Sequence, residues 1–475
     1  MKKAPFSFCL ILALLAASCA VNPVTGRREL SLISEAQEIS LGQDTDKQIR
    51  IQYGVYADPN LNQYVEGIGK ILVPHTHRPQ LGYHFAVLDS PVVNAFAVPG
   101  GYIYVTRGIL ALMNSEAELA AVLGHELGHV NARHSVRRLS KLLLVQLSLT
   151  VGSALSETFA KISGVAGVGV QLLFLKYSRD DEREADFLGV QYSRSGGFQP
   201  GKMVSFFTSL QNLGDLSKGA SLPGFLSTHP LTQERIQNVS QLLQASDQQL
   251  AVRKQSYLDR INGLVFGEDP RQGYVEKNVF YHPLLRFSFS FPEGWTLQNT
   301  PSQVVLSSKD GNAALVLQAE KSSEELSAYA QKKMSDLEGK QYVSDQHLRI
   351  NSLPAYQQLF DVEQKEKEAL RLRLTCIKKE DQIYSWTSLS TISDFSKYDE
   401  QFQSVVGSFK ELVDKAFIDR KPIRITLIRA NGRDSLRQIF QKGGMAEELW
   451  PKFAVMNGME LDKTPVMGQQ IKIVR

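Results

Sequence analysis

Five residues, His125-Glu126-Leu127-Gly128-His129, constrain this 475-residue chain more than any other stretch. On a helix they set two imidazoles one turn apart with a carboxylate between them, a geometry that grips zinc and activates water. The flanking sequence predicts that helix. Ser115 is placed to cap its N-terminus, and Glu118, three residues on, to reach back and complete a capping box. Leu119, Val122, Leu123, Leu127 and Val130 recur at helical spacing as an apolar stripe. Gly124 and Gly128 each cost a helix roughly 1 kcal/mol relative to alanine. Close approach of another element beneath the metal is therefore expected along them.

A zinc hydrolase needs three protein ligands and one open position. The third ligand is expected in Ser178-Arg-Asp-Asp-Glu182-Arg-Glu-Ala-Asp186-Phe-Leu-Gly189. Helical spacing puts Glu182 and Asp186 on one face, with Ser178 or Asp180 as cap and Gly196-Gly197 as stop. Glu182 is the expected ligand. Asp186 is the expected acceptor for the outer N–H of a ligand histidine, and Glu184 is expected to face solvent. The other common continuation, His-x-x-Gly-x-x-His, is absent, because Ala132 and Ser135 stand where Gly and His would be. A glutamate-ligand, gluzincin-type site remains.

From about Asn22 to about Gly273 the chain resembles the HExxH zinc metallopeptidases that include the CAAX prenyl protease and the periplasmic beta-barrel assembly-enhancing protease. The resemblance is carried by Asn94-Ala-Phe-Ala-Val-Pro-Gly-Gly101, His125–His129, Glu182-Arg-Glu-Ala-Asp186, Ser227-Thr-His-Pro230 and Arg235. It implies one Zn2+ per chain on His125, His129 and Glu182, agreeing with the helical argument. It also gives His229 a role beside the zinc, as a transition-state stabiliser or as a fourth ligand that closes the resting site, with Arg235 next to it. Taken alone, His229 reads as a loop histidine before a proline.

The chemistry expected of such a site is peptide-bond hydrolysis by activated water, with Glu126 taking the proton and passing it to the leaving amine. Upstream, Tyr83–Leu88, Val92–Val98 and Tyr102–Val105 read as strands bounded by Pro91 and by Pro99-Gly100-Gly101. An edge strand next to the metal can pair an extended peptide by strand addition. The resemblance assigns that role to Asn94, Ala95, Phe96 and Ala97, which implies loose sequence specificity and a preference for unfolded substrates. The cysteines offer no thiol mechanism: Cys9 lies in a leader, Cys19 ends it, and Cys376 reads as a small buried hydrophobe.

Lys2, Lys3, an apolar run through Leu15 and Ala16-Ala17-Ser18-Cys19 read as a signal peptide, residues 1–18, ending in a bacterial lipobox. Lipid is expected on Cys19, which would attach the chain to a membrane. Ala20 rather than Asp after it favours the outer membrane on the sorting pattern of such lipoproteins. Removing the leader takes Lys2 and Lys3 and no acid, which lowers the formal charge from +4 to +2. A near-neutral body argues against nucleic acid as a partner. Within residues 139–175 two apolar runs fall short of the ~20 residues of a spanning helix. They read as helices covering the catalytic core or as a flap over its cleft.

The expected fold class is α+β and multidomain. A lipidated segment, 19–40, leads into a mainly helical zincin-type metallopeptidase domain with a small sheet, 41–262. Strands alternating from Tyr274 onward make an α+β domain, 274–412, whose Phe-Pro-x-Gly-Trp opening is similar to domains of the PsbP kind. His282 and His347 within it read as structural. Residues 420–475 are similar to a LysM-like βααβ module, with peptidoglycan contact or a packing role as the alternatives. No tetratricopeptide period is visible. The function expected is a periplasmic, lipid-anchored zinc endopeptidase degrading misfolded or stalled envelope proteins. The alternatives are an assembly factor or chaperone with a closed or structural zinc site, and a wall-tethered binding protein.

Overall fold

The computed structural model describes residues 19–149, 176–216, 224–364 and 367–475. The chain folds as two compact units, Met1–Gly267 together with Ile423–Arg475, and Glu268–Pro422. The leader before Cys19 and most of the expected flap, 150–175, lie outside the described residues. Among the described residues no helix is long and apolar enough to cross a membrane.

The first unit opens with a hairpin of β1 (Cys19–Val21) and β2 (Arg28–Leu30), then α1 (Glu35–Tyr53) and α2 (Pro59–Leu72). Ser34 and Gln37 form a reciprocal capping box on α1, and Asp58 with Pro59 starts α2. A three-stranded sheet follows from β3 (His84–Leu88), β4 (Ala95–Val98) and β5 (Tyr102–Thr106), in spatial order β3-β5-β4. Strand β5 runs parallel to β3 and antiparallel to β4. β4 is thus an edge strand, as expected.

Alternation sends Ala95, Ala97, Ile103 and Val105 into the main core, while Phe96, Val98, Tyr102 and Tyr104 pack in a smaller one that includes Ile49 of α1. Both faces being covered explains why these strands read as nearly continuous apolar runs.

Behind the sheet lie α3 (Arg107–Leu112), α4 (Glu116–Asn131) and α5 (His134–Leu149). They are followed by α6 (Arg179–Ser195), α7 (Lys202–Leu216), α8 (Gly224–Thr228), α9 (Gln233–Leu242) and α10 (Lys254–Ile261). Every residue of α4 is buried. That is why its apolar stripe is wider than one face and its polar residues need internal partners. Its start differs from expectation by one residue. Ser115 accepts from Glu118 N–H, but Glu118 Oε2 accepts from Asn114 N–H at 2.7 Å rather than from Ser115.

The last segment pairs strands Ile425–Arg429 and Gln470–Val474 antiparallel, with helices Leu436–Lys442 and Trp450–Met456 between them, a βααβ arrangement. Its Leu436, Phe440, Phe453, Ile471 and Ile473 belong to the same core as α4. The Lys472 ammonium, fully buried, donates to the carbonyls of Ala111, Leu112 and Met113 at 2.9, 3.3 and 2.9 Å. A cation there complements the C-terminal end of α3.

The second unit carries a seven-stranded antiparallel sheet. Its strands run in the order Lys340–Ile350, Leu353–Gln364, Lys367–Lys379, Gln382–Thr391, Ala313–Lys321, Val304–Ser307 and Thr296–Asn299. A four-stranded sheet and the helix Ile392–Gly407, burying Phe395, Tyr398, Phe402, Val405 and Val406, complete its larger core. Cys376 is buried in a smaller core of the same unit, with Tyr329, Phe360 and Leu374, and burial pushes its thiol up to about 12, so it is an inert hydrophobe.

Candidate metal centre

Helices α4 and α6 cross back to back, and their glycines set the distance. A Cβ on Gly128 would lie 3.1 Å from Ala185 Cα and O, and one on Gly124 would lie 3.1 Å from Gly189 O. The two mid-helix glycines let the backbones meet, and this brings His125 and His129 over Glu182.

His125 Nε2 and His129 Nε2 are 3.0 Å apart. Glu182 Oε1 lies 3.5 Å from His129 Nε2, and Oε2 lies 3.7 Å from His125 Nε2. His229, which follows α8, sets its Nδ1 3.3 Å from His125 Nε2 and 3.0 Å from Glu182 Oε1. Ligands about 2.0–2.2 Å from a tetrahedral zinc stand roughly 3.3–3.6 Å from one another. The observed spacings bracket that edge. All four side chains are buried, so this group can hold one metal ion.

Two kinds of support hold the imidazoles. His125 Nδ1 approaches Asp186 Oδ1 to 2.9 Å, an ion-pair contact bent away from ideal hydrogen-bond geometry. Arg235 grips both Asp186 oxygens at 2.7 Å through Nε and Nη2, and sets Nη1 2.6 Å from Glu182 Oε2. It is the buried counter-charge for both carboxylates. Burial opposes ionisation of Glu182 and Asp186. The His229 ring and Arg235 for the former, and Arg235 for the latter, nonetheless hold them below the usual carboxylate range.

His129 is held differently. Its Nδ1 lies 2.8 Å from His134 Nδ1, and His134 Nε2 lies 3.0 Å from Glu184 Oε2. If His129 gives Nε2 to a metal, its proton sits on Nδ1, so His134 accepts there and donates from Nε2 to Glu184. Glu184 therefore does not face away into solvent, as helical spacing suggested. His134 was missed because its role depends on α5 folding back against α6, which no local pattern shows. Arg133 at the turn between α4 and α5 has φ 55°, the backward bend that makes this contact.

Glu126 has both carboxylate oxygens buried without a hydrogen-bond partner among the described residues, with Oε1 3.7 Å from His229 Nε2. Burial pushes its carboxyl above the usual range, and the His229 and His125 rings pull it part of the way back. A bare buried carboxylate is costly. A water between it and a cation would satisfy it.

Among the described residues the outer edge of β4 is unpaired, and its Phe96 and Ala97 line one cavity with His229. Asn94 O accepts from Thr106 N–H, so the antiparallel alternation turns the N–H and C=O of Ala95 and Ala97 outward, away from β5. Phe96, Ala97, Pro99, Tyr177 and His229 enclose a cavity of about 10 Å³ there, about one water's worth. Tyr177, another residue that sequence reasoning missed, stacks on His129 at 3.8 Å between ring centroids and on His229 at 5.2 Å. Cys19 opens β1, apart from this cluster of ligands.

Helices supplying a His-Glu-x-x-His pair and a glutamate, beside an edge strand, define a metallopeptidase of the glutamate-ligand class. Residues 59–243 match the model of peptidase family M48. The family's metal is zinc, and the buried group fits one ion of it. The chain is 31% identical over 223 residues to the beta-barrel assembly-enhancing protease of Yersinia pestis, covering 45% of each chain. The protein of that name from Escherichia coli (strain K12) is 30% identical with the same coverage. The mitochondrial metalloendopeptidase OMA1 of Schizosaccharomyces pombe is 29% identical over 226 residues, 46% of this chain and 65% of its own. The chain thus spans about half the length of the beta-barrel assembly-enhancing proteases it matches.

Proposed function

We propose that the chain is a zinc endopeptidase of the bacterial cell envelope, anchored through lipid on Cys19, that degrades misfolded or stalled periplasmic and outer-membrane proteins. The observation that carries the reading is the convergence of four buried ligand atoms, within 4.8 Å of one another, beside the Glu126 carboxylate, which has no hydrogen-bond partner among the described residues. Bound zinc would supply Lewis acidity to a peptide carbonyl and acidity to a water. Glu126 takes the proton from that water at a carboxylate oxygen and delivers it to the leaving nitrogen. His125, His129 and Glu182 hold the ion. Arg235 and Asp186 keep Glu182 ionised and His125 oriented.

An extended polypeptide pairs with the outward N–H and C=O groups of Ala95 and Ala97, which reads backbone rather than side chains. Asn94 Oδ1, buried and without a partner among the described residues, is an additional acceptor at the start of that strand. The names of the bacterial relatives, which act in beta-barrel assembly, support outer-membrane proteins as the substrate class.

A second reading rests on the closure of the site. His229 stands at the fourth ligand position, and the space that Phe96, Ala97, Tyr177 and His229 enclose is about 10 Å³, too small for a polypeptide. The resting enzyme is then shut, and an assembly role needs no cleavage while it stays shut. Incubating purified protein with an unfolded outer-membrane barrel protein separates the readings. The peptidase reading expects zinc-dependent fragments from wild type, increased by His229→Ala. Intact substrate with both proteins favours the assembly factor.

A further inference from the structure

A cavity of about 730 Å³ lies away from the metal, between the start of α4, helix α7 and the C-terminal βααβ segment. We infer that this cleft binds an acidic polypeptide segment.

Three lysines converge on the cleft. Lys202 of α7, Lys254 of α10 and Lys463 of the C-terminal segment all line it, and among the described residues none of the three ammoniums has a carboxylate within salt-bridge reach. Lys472, close behind the same cleft, spends its donors on three backbone carbonyls. Burial and the charge of Lys202 hold the Lys254 ammonium below the usual lysine range even though Glu118 draws it up. Three unpaired cations converging on one hollow repel one another, and an anion filling the hollow relieves that repulsion.

Two carboxylates line the same space. Glu118 is committed to Asn114 N–H and is offset from behind by Lys472. Glu460 is exposed on the rim, with no lysine within salt-bridge reach among the described residues. A positive excess remains.

The rest of the lining sets the ligand class. The volume falls in the range of about 300–1,000 Å³ typical of ligand clefts, far beyond what a lone inorganic anion fills. Ser205, Thr208 and Asn212 offer hydroxyl and amide groups, and Val204, Val252 and Val455 offer apolar strips between them. Alternating polar and apolar lining with cations suits a peptide carrying several carboxylates. Ser115 and His125 are ten residues apart on α4, so the cleft lies about 15 Å along that helix from the metal ligands. It is a docking site separate from the hydrolytic one.

Fluorescence anisotropy of labelled hexaglutamate on the full chain carrying Glu126→Gln tests this, with labelled hexaglutamine as the neutral control. The expected result is saturable binding of hexaglutamate that weakens with added salt. The K202Q/K254Q/K463Q variant should lose about tenfold in affinity, the sum of three modest charge contacts. The exposed single change Lys463→Gln should lose a smaller part, and hexaglutamine should not bind. Equal affinity of wild type and triple variant, equal binding of the two peptides, or no binding of hexaglutamate would each overturn the inference. So would displacement of the peptide by inorganic phosphate at matched charge. The readout needs neither zinc nor hydrolysis, so its failure is distinct from failure of the peptidase reading.

Discussion

At the scale of single residues, the two ligand histidines are oriented by unlike partners, Asp186 for His125 and the His134–Glu184 pair for His129. Losing such an outer partner typically lowers metal affinity about 10–100-fold. His134→Ala should therefore weaken zinc binding by that factor in a chelator competition, while its far-ultraviolet circular dichroism stays that of the wild type. Glu184→Gln, which keeps a hydrogen-bond acceptor, should lose less. Unchanged affinity in His134→Ala would remove His134 from the metal centre. His125, Glu126, His129, Glu182 and Asp186 could be found by spacing alone, because each pair lies within two turns of one helix. His134, Tyr177 and the inward turn of Glu184 could not, since they meet the centre only through contacts between α4, α5 and α6.

At the scale of elements, α4 and α6 hold the centre by close backbone packing. The glycine pair announced in the sequence that something would come close, and the structure identifies it as α6 at Ala185 and Gly189. Gly128→Val adds two methyls beyond a Cβ already 3.1 Å from Ala185. Overpacking of this kind costs about 1–3 kcal/mol. The variant should show that loss in urea denaturation together with weaker zinc binding, because α6 carries Glu182. A stability loss with intact affinity would mean the helix pair does not set the ligand spacing. The fully buried α4 shows why the sequence suggested a one-sided helix: its second apolar side is made of Ala117, Ala120 and Ala121, residues too small to mark a face.

Across the whole molecule, the C-terminal segment shares a core with the peptidase helices and caps α3 with Lys472. Its βααβ pattern could be read along the chain, but its integration into the first unit required contacts across hundreds of residues. Lys472→Met leaves carbonyls bare at roughly 1–3 kcal/mol each. It should lower the urea midpoint of the first unit substantially, whereas an unchanged midpoint would make the capping incidental.

In the second unit, His282 Nδ1 accepts from Leu285 N–H, and burial lowers its pKa to about 4. The unfolded ring, near 6.5, then binds a proton that the folded ring refuses between those values. Stability from this group is complete above the unfolded pKa and falls as pH drops from about 6.5 towards 4, by about 3 kcal/mol in all. His282→Asn should remove that part of the pH dependence, read as the difference between variant and wild-type urea midpoints at neutral and mildly acidic pH.

The central step is proton transfer by Glu126, acting as the base beside a metal held by other residues. The most direct measurement is the cleavage rate of an unfolded substrate by Glu126→Gln relative to wild type, at equal zinc content of one ion per chain. Loss of a positioned base should slow cleavage by about 10²–10⁴-fold with zinc fully retained. A variant that holds its zinc and cuts as fast as wild type would contradict the account.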